Sequence, residues 1–268
     1  MLQGARILVT GGAGYIGSHA VRSLCDLGAQ VVVFDSLLTG HRRAVDPRAR
    51  LVVGDVRDAA AVDALLREHP VDAALHFAAL ALVSESVAWP ERYRDVNVRG
   101  TANLARGLAA AGVSAVVLSS TAATYGDDVP TPITEDQPAR PCNPYGASKV
   151  GAEAALRATP GIEPIFLRYF NAAGAWPDGT TGEDHTPETH LVPLAVQAAL
   201  GRRDRLTVFG TDWPTRDGTC VRDYVHVLDL VDAHVLALTR LLDGGPGGAF
   251  NLGTGRGASV REVLDAVG

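Results

Sequence analysis

The sequence predicts an α/β protein: a doubly wound parallel sheet followed by a smaller α/β lobe. Three observations carry that expectation. Short β-branched runs alternate with helix-periodic stretches through residues 1–170, a glycine cluster joins the first run to the first helical stretch, and beyond Asn171 the texture changes to Gly, Pro, Thr and Asp. Parallel strands joined by helical crossovers follow from such alternation, since each crossover covers a face of the sheet.

Residues 5–10 (ARILVT) form the first strand, and 16–27 carry apolar residues at helical spacing. Strand-like segments recur at 30–35, 51–54, 72–77, 115–119 and 163–169, separated by helical stretches such as 59–68 and 100–111. Asn143 is placed as a helix cap with Pro144 in the first helical position. In the second lobe, 172–188 is loop, 191–200 helical and 206–209 strand-like, while 225–242 starts extended and becomes an amphipathic helix. The division expected is 1–170 and 171–268, with part of 219–242 packing back on the first domain. The last helical segment is 259–267.

Composition narrows the functional classes. Twenty-four Lys plus Arg against 30 Asp plus Glu give a net charge of −6, without the cationic excess that nucleic-acid backbones require. Cys25, Cys142 and Cys220 are too few and too scattered for a disulfide framework or a paired-cysteine zinc site, which suits a reducing cytoplasm. No apolar run approaches the ~18–20 residues that cross a bilayer, and no signal-like segment precedes the first strand, so a chain without membrane attachment is expected.

The turn after the first strand reads Gly11-Gly12-Ala13-Gly14-Tyr15-Ile16-Gly17. Its glycines permit a tight turn, close approach of a pyrophosphate and close helix packing, with free N–H groups facing the anion. This is a Rossmann-like arrangement, and 1–170 is read as the dinucleotide-binding domain. The second strand ends at Asp35, 24 residues after Gly11, where a carboxylate binds the adenosine ribose and repels a 2′-phosphate. NAD is therefore the expected cofactor, with Arg42 and Arg43 nearby. Asp55 ends the third strand within reach of an adenine, and His76-Phe77-Ala78-Ala79 closes the fourth.

After the fifth strand stands Ser119-Ser120-Thr121, and downstream Tyr145 and Lys149 lie four residues apart on one helix face. A tyrosine beside an ammonium and a nicotinamide cation can act as a base, with the Thr121 hydroxyl bridging substrate oxygen and phenolate. No nucleophile elbow or hydrolytic triad occurs. His190 has no partner at metal-ligand spacing, so no metal site is expected, and Cys220, Trp176 and Trp213 are read as structural.

TGGAGYIGSH, HFAALALVSES, SSTAATYGD, NPYGASK, LRYFNAAGA, ETHLVP, GRRDRLTVFGTDWPTRDGT and VRDYVHVLDL together resemble the extended short-chain dehydrogenase/reductases, and within them the UDP-glucose 4-epimerase family, over essentially the whole chain. The resemblance implies NAD-dependent epimerisation at C4 of a UDP-hexose through a 4-keto intermediate, a cytoplasmic enzyme and a homodimer formed by the helix after Gly100 and the helix bearing Tyr145. It implies catalysis by Tyr145, Lys149 and Thr121, and NAD contacts at Gly11, Gly14, Tyr15, Ile16, Gly17, Asp35, Asp55, Val56, Phe77, Ala78, Asn97, Tyr145, Lys149 and Tyr169. The UDP-sugar falls to Thr121, Tyr145, Asn171, His190, Leu191, Val208, Phe209, Arg222 and Tyr224, with Arg222 a suitable partner for a diphosphate.

Two departures from the family pattern stand out. Ala81 and Leu82 occupy the place where some members carry a lysine near the phosphates, and the chain stops at Gly268 inside a helical segment where relatives continue. An open substrate pocket with NAD binding but reduced turnover is the corresponding expectation. A nucleotide-sugar dehydratase is disfavoured because Thr121 is followed by Ala122-Ala123 rather than an acid pair. A UDP-pentose or UDP-uronate epimerase, and a non-catalytic NAD-binding protein, are the alternatives.

Overall fold

The computed structural model describes residues 2–268. In chain order it contains β1 (Arg6–Thr10), α1 (Tyr15–Asp26), β2 (Gln30–Asp35), β3 (Arg50–Val53), α2 (Ala59–Glu68), β4 (Ala73–His76), α3 (Val83–Ala88), α4 (Pro90–Tyr93) and α5 (Gly100–Ala110). There follow β5 (Ala115–Thr121), α6 (Pro144–Arg157), β6 (Glu163–Tyr169), β7 (Asn171–Ala173), α7 (Leu191–Ala199), β8 (Val221–His226), α8 (Val227–Leu242), β9 (Gly248–Leu252), β10 (Gly257–Ser259) and α9 (Val260–Val267). Seven parallel strands run in the order β3-β2-β1-β4-β5-β6-β9, and β10-β8-β7 form a small mixed sheet.

Alternation along each strand divides the core in two. Ile7 and Val9, Ala73 and Leu75, Val117, Ile165 and Leu167 meet Val21 and Leu24 of α1 and Val231, Leu238 and Leu241 of α8 on one face. Leu8, Ala74, Val116, Leu118 and Phe166 meet Val62, Leu66, Leu104, Leu108 and Leu156 of α2, α5 and α6 on the other. Because both faces are covered, the strands read as continuous apolar runs, and all seven residues of β5 are buried. The chain beyond Asn171 contributes to both sheets: β9 extends the large one beside β6, and α8 packs on α1 and β4–β6.

Local signals account for the helix starts. Asp58 accepts the Ala60 and Ala61 amides at the head of α2, Asn143 accepts the Gly146 amide with Pro144 following, and Ser259 and Glu262 form a capping box on α9. Two differences from the sequence reading have clear causes. β5 runs two residues past 119 because Ser120 and Thr121 still pair with Arg168 and Tyr169, which carries Thr121 to the end of a strand. Residues 206–209 form no strand: the Leu-Thr-Val-Phe run has β propensity but no neighbour to pair with, and propensity alone leaves its amides better solvated than paired. Among the described residues no helix is long and apolar enough to cross a membrane.

Beneath α6 lies a buried ion pair. Arg168 of β6 donates to Glu153 at 2.9 and 2.6 Å, Ser120 donates to the same carboxylate at 2.7 Å, and the Arg168 and Glu153 side chains are 7% and 4% exposed. Removing one partner strands the other charge in the core. Glu153→Ala should therefore lower unfolding free energy by ~3–5 kcal/mol in a denaturant titration, with Glu153→Ala/Arg168→Met recovering part of the loss; a change within experimental error for the single variant would contradict the buried pair.

Candidate active site

The crevice opens where the strand order reverses, outside the C-terminal ends of β1 and β4, the position at which open α/β sheets bind ligands. Gly11 adopts a left-handed φ of 74° and lies so close to the next strand's loop that a Cβ there would sit 2.5 Å from the Ala78 nitrogen. A Cβ on Gly17 would come within 2.1 Å of the Gly11 carbonyl. Both positions thus exclude any side chain, and the result is a bare backbone cradle at the head of α1. Gly14 caps that helix with no side-chain hydrogen bond and no acid in its first turn, so its first amides face the crevice.

Gly11, Gly14, Asp35, Asp55, Val56, Phe77 and Ala78 line this crevice as the sequence predicts. Asp35 is 7% exposed; its Oδ2 accepts the Ala13 amide at 2.9 Å and its Oδ1 the Leu37 amide at 2.8 Å. Those bonds aim the carboxylate while leaving further lone pairs for ligand hydroxyls. Leu37, at φ 58°, turns the chain so that Ser36, Leu38, Thr39 and Gly40 complete the wall, together with Arg57, Ala79 and Leu80. Sequence reasoning missed Ser36 and Leu38 to Gly40; their only signal was that they follow Asp35 closely. Asp55 is paired with Arg57 at 2.6 Å, whose guanidinium holds the carboxyl below its usual range.

Thr121 ends β5 opposite Tyr169 of β6, and its hydroxyl neighbours the Tyr145 phenol at the start of α6. The backbone of Tyr145 is held by its amide donating to Ser86 at 3.1 Å. One turn along, Lys149 is 4% exposed and donates to the Ser119 carbonyl at 2.9 Å. Burial raises the Tyr145 pKa and the Thr121 hydrogen bond draws it back, whereas burial pushes Lys149 down to about 8, with Glu153 opposing. Within the protein itself, the Thr121 hydroxyl is thus the group that favours the phenolate. Lys149 is also the only lysine in the 268 residues, the other 23 side-chain cations being arginines, a signal that the sequence carried openly.

Tyr169 bonds to the Ser119 hydroxyl and lies near Tyr145, and burial raises its pKa. Asn97 is buried and its amide is engaged locally, accepting from the Leu80 amide at 2.8 Å and donating to the Leu80 carbonyl and Ser148. Its evident work is to fix the Leu80 loop against α6. Tyr15 begins α1 and donates to the Gly174 carbonyl at 2.6 Å, joining the glycine turn to the chain beyond β7, while Ile16 follows it in the same turn.

On the substrate side the register pairs Asn171 with Tyr224, and Arg222 lies two residues before Tyr224, on the same face of β8. Arg222 is exposed and donates to the Val221 carbonyl at 2.9 Å. His190 and Leu191 open α7. Val208 and Phe209 lie in the unpaired 206–210 segment, with Phe209 86% exposed. His190 is not isolated: Glu183, His185 and Glu188 surround it.

Comparison with known proteins agrees with this geometry. The model of the NAD dependent epimerase/dehydratase family matches residues 7–253. The chain is 52% identical to a UDP-glucose 4-epimerase of Rhizobium meliloti over 99% of its own length and 82% of the relative's, and 49% identical to one of Lacticaseibacillus casei over 97% and 80%. Its structure is similar to that of UDP-glucose 4-epimerase from Brucella ovis in complex with NAD, at a TM-score of 0.94 and 46% identity, covering 98% of this chain and 81% of that one. The Bifidobacterium longum enzyme in complex with NAD+ and UDP superposes at 0.91 with 38% identity, covering 98% and 82%.

The single lysine makes its protonation directly observable. Lysine labelled with 13C at Cε should give one side-chain resonance that titrates near about 8 instead of the ordinary 10.5. With the folded value lowered, the unfolded chain binds more protons between those limits, so this group's contribution to stability rises as pH climbs through that window. Titration at the ordinary value would contradict a buried ammonium.

Proposed function

The chain belongs to the NAD dependent epimerase/dehydratase family, and we infer that it is an NAD-dependent UDP-hexose 4-epimerase, like the UDP-glucose 4-epimerases to which it is about half identical. The observation carrying this reading is that Thr121 and the helix bearing Tyr145 and Lys149 meet at the end of β5, two strands from the side-chain-free cradle that follows β1. The cradle fits the cofactor: two glycines that admit no Cβ, uncapped helix amides for a pyrophosphate and the fixed Asp35 carboxylate for a ribose. NAD, when bound, supplies the acceptor and donor of hydride.

The protein's own groups manage the proton and the orientation. Tyr145, as phenolate, takes the proton of the sugar 4-hydroxyl and later returns it, and Thr121 bonds to the same oxygen and holds it in line. Lys149, fixed by the Ser119 carbonyl, stands where its charge favours the phenolate once a ligand covers the site. A base that both accepts and returns one proton needs no second catalytic acid, which agrees with the alanines after Thr121.

Residues 1–170 would provide the cofactor site and the chain from Asn171 the UDP-sugar site, although α8 and β9 belong structurally to the large sheet. Asn171, Leu191, Arg222 and Tyr224 would face the nucleotide, the exposed Arg222 guanidinium meeting the diphosphate. Exposed Ala102 of α5 and Ala147 and Ala154 of α6 form a small-residue surface suited to close packing with a second copy, so a homodimer through these helices is proposed. The three unpaired cysteines suit a cytoplasmic setting.

Incubation with UDP-galactose should yield UDP-glucose, and denaturation should release NAD. Tyr145→Phe should lower kcat by ~10²–10⁴-fold while NAD content stays unchanged. Undiminished epimerisation by that variant would exclude the phenol as the base.

A further inference from the structure

The loop between β7 and α7 gathers Glu183, His185 and Glu188, to which no part in the epimerase reaction falls, around His190, which the family resemblance sets at the UDP-sugar. Glu183, His185, Glu188 and His190 each present one donor atom, and these atoms all lie within 4.8 Å of one another. From this geometry we propose that they form a structural zinc site, with two imidazole Nδ1 atoms and two carboxylates as ligands.

The distances argue for an ion rather than a set of hydrogen bonds. A tetrahedral zinc with bonds of ~2.0–2.1 Å to nitrogen and oxygen places its ligands ~3.3–3.4 Å apart. His185 Nδ1 stands 3.3 Å from Glu183 Oε1 and 3.7 Å from Glu188 Oε2, and His190 Nδ1 lies 3.4 Å from the other Glu188 oxygen, Oε1. The fourth contact, His190 to Glu183 at 2.7 Å, is a hydrogen bond that an entering cation replaces. His185 Nδ1 is buried with no hydrogen-bond partner, despite two carboxylates beside it. An orphaned imidazole nitrogen aimed among acids is what a ligand set leaves when its ion is removed.

Charge and donor type agree. Two carboxylates and two neutral imidazoles carry −2, which a divalent ion cancels; imidazole with carboxylate suits zinc, whereas calcium and magnesium prefer oxygen alone. The ligands are also supported from behind, because Glu188 Oε1 accepts the Thr189 and His190 amides at 2.7 and 2.9 Å. His190 is the first residue before α7, and Asp184 within the same loop is tied to His41 and Arg43, next to the crevice wall. The ion would thus pin the start of α7 to the β2 side of the molecule. None of this rests on the epimerase reading.

The test uses the full chain, stripped with dipicolinate and titrated with Zn²⁺ against a fluorescent indicator, with metal content measured by mass spectrometry. One equivalent should bind and raise Tm, while Mg²⁺ does neither. His185→Ala and, as a shape-conserving control for folding, Glu188→Gln should each weaken zinc by more than the ~10–100-fold that loss of an outer-shell partner costs, with unchanged circular dichroism in the absence of metal. Substoichiometric binding by the parent chain, or binding that His185→Ala and Glu188→Gln both leave equally tight, as at the exposed Cys142, would overturn the proposal.

Discussion

Glu153 lies one turn beyond Lys149 on α6 and receives Ser120 from β5 and Arg168 from β6. This three-way contact fixes how α6 is rotated against the sheet, and that rotation decides where Tyr145 and Lys149 point. The same arginine reaches Tyr125 at 2.9 Å, and Tyr125 in turn donates to Asn251 of β9 at 2.7 Å. Three parallel strands and one helix are therefore locked by a single buried polar network whose groups satisfy one another. A core of alkyl groups would stabilise equally well, but would specify the helix rotation less sharply.

The site then combines opposite demands. Lys149 must be dehydrated to act close to a ligand, yet dehydration drives its proton off; the Ser119 carbonyl and the nearby Glu153 oppose that loss. His76, behind it, resolves the same conflict by staying neutral, its pKa pushed down to about 3 by burial and by Lys149. Thr101 spends its hydroxyl proton on the Asn97 carbonyl, so it accepts from His76 Nε2, and His76 Nδ1 must then accept from Thr10. Of the two buried cations at this end of the sheet, Arg168 is paired with Glu153, and Lys149, one helical turn from Tyr145, carries no ion pair.

What was legible in the sequence is what depends on neighbours along the chain. The parallel sheet followed from alternation, the glycine cradle from spacing, and the Tyr145 helix from Asn143 and Pro144. The failures have several physical causes. A strand at 206–209 required a neighbour that never arrives, and the crevice wall from Ser36 to Gly40 depends on a left-handed Leu37 that composition does not announce. The buried network joining Glu153, Arg168, Tyr125 and Asn251 links residues up to 126 positions apart, so no local pattern could reveal it. The acid–histidine cluster failed differently: its members span only eight residues, but at spacings that match no common metal motif.

Cofactor preference follows from where charge is already committed. Arg42 and Arg43 follow the crevice wall that ends at Gly40 and would be the natural partners of a 2′-phosphate. Arg43, however, pairs with Asp184 at 2.5 Å. That surface pair is weak in itself, but it turns the guanidinium towards the 183–190 loop. Asp35 is by contrast almost fully buried and fixed by two backbone amides, so its carboxylate cannot swing aside to admit a second anion. A phosphate placed there would face a buried negative charge at short range, where solvent screens little, while the bare ribose of NAD offers hydroxyls that the same oxygens accept. The acid that ends β2 would therefore select for NAD by attraction and against NADP by repulsion, the second effect being the larger because it would act between full charges in a poorly solvated crevice.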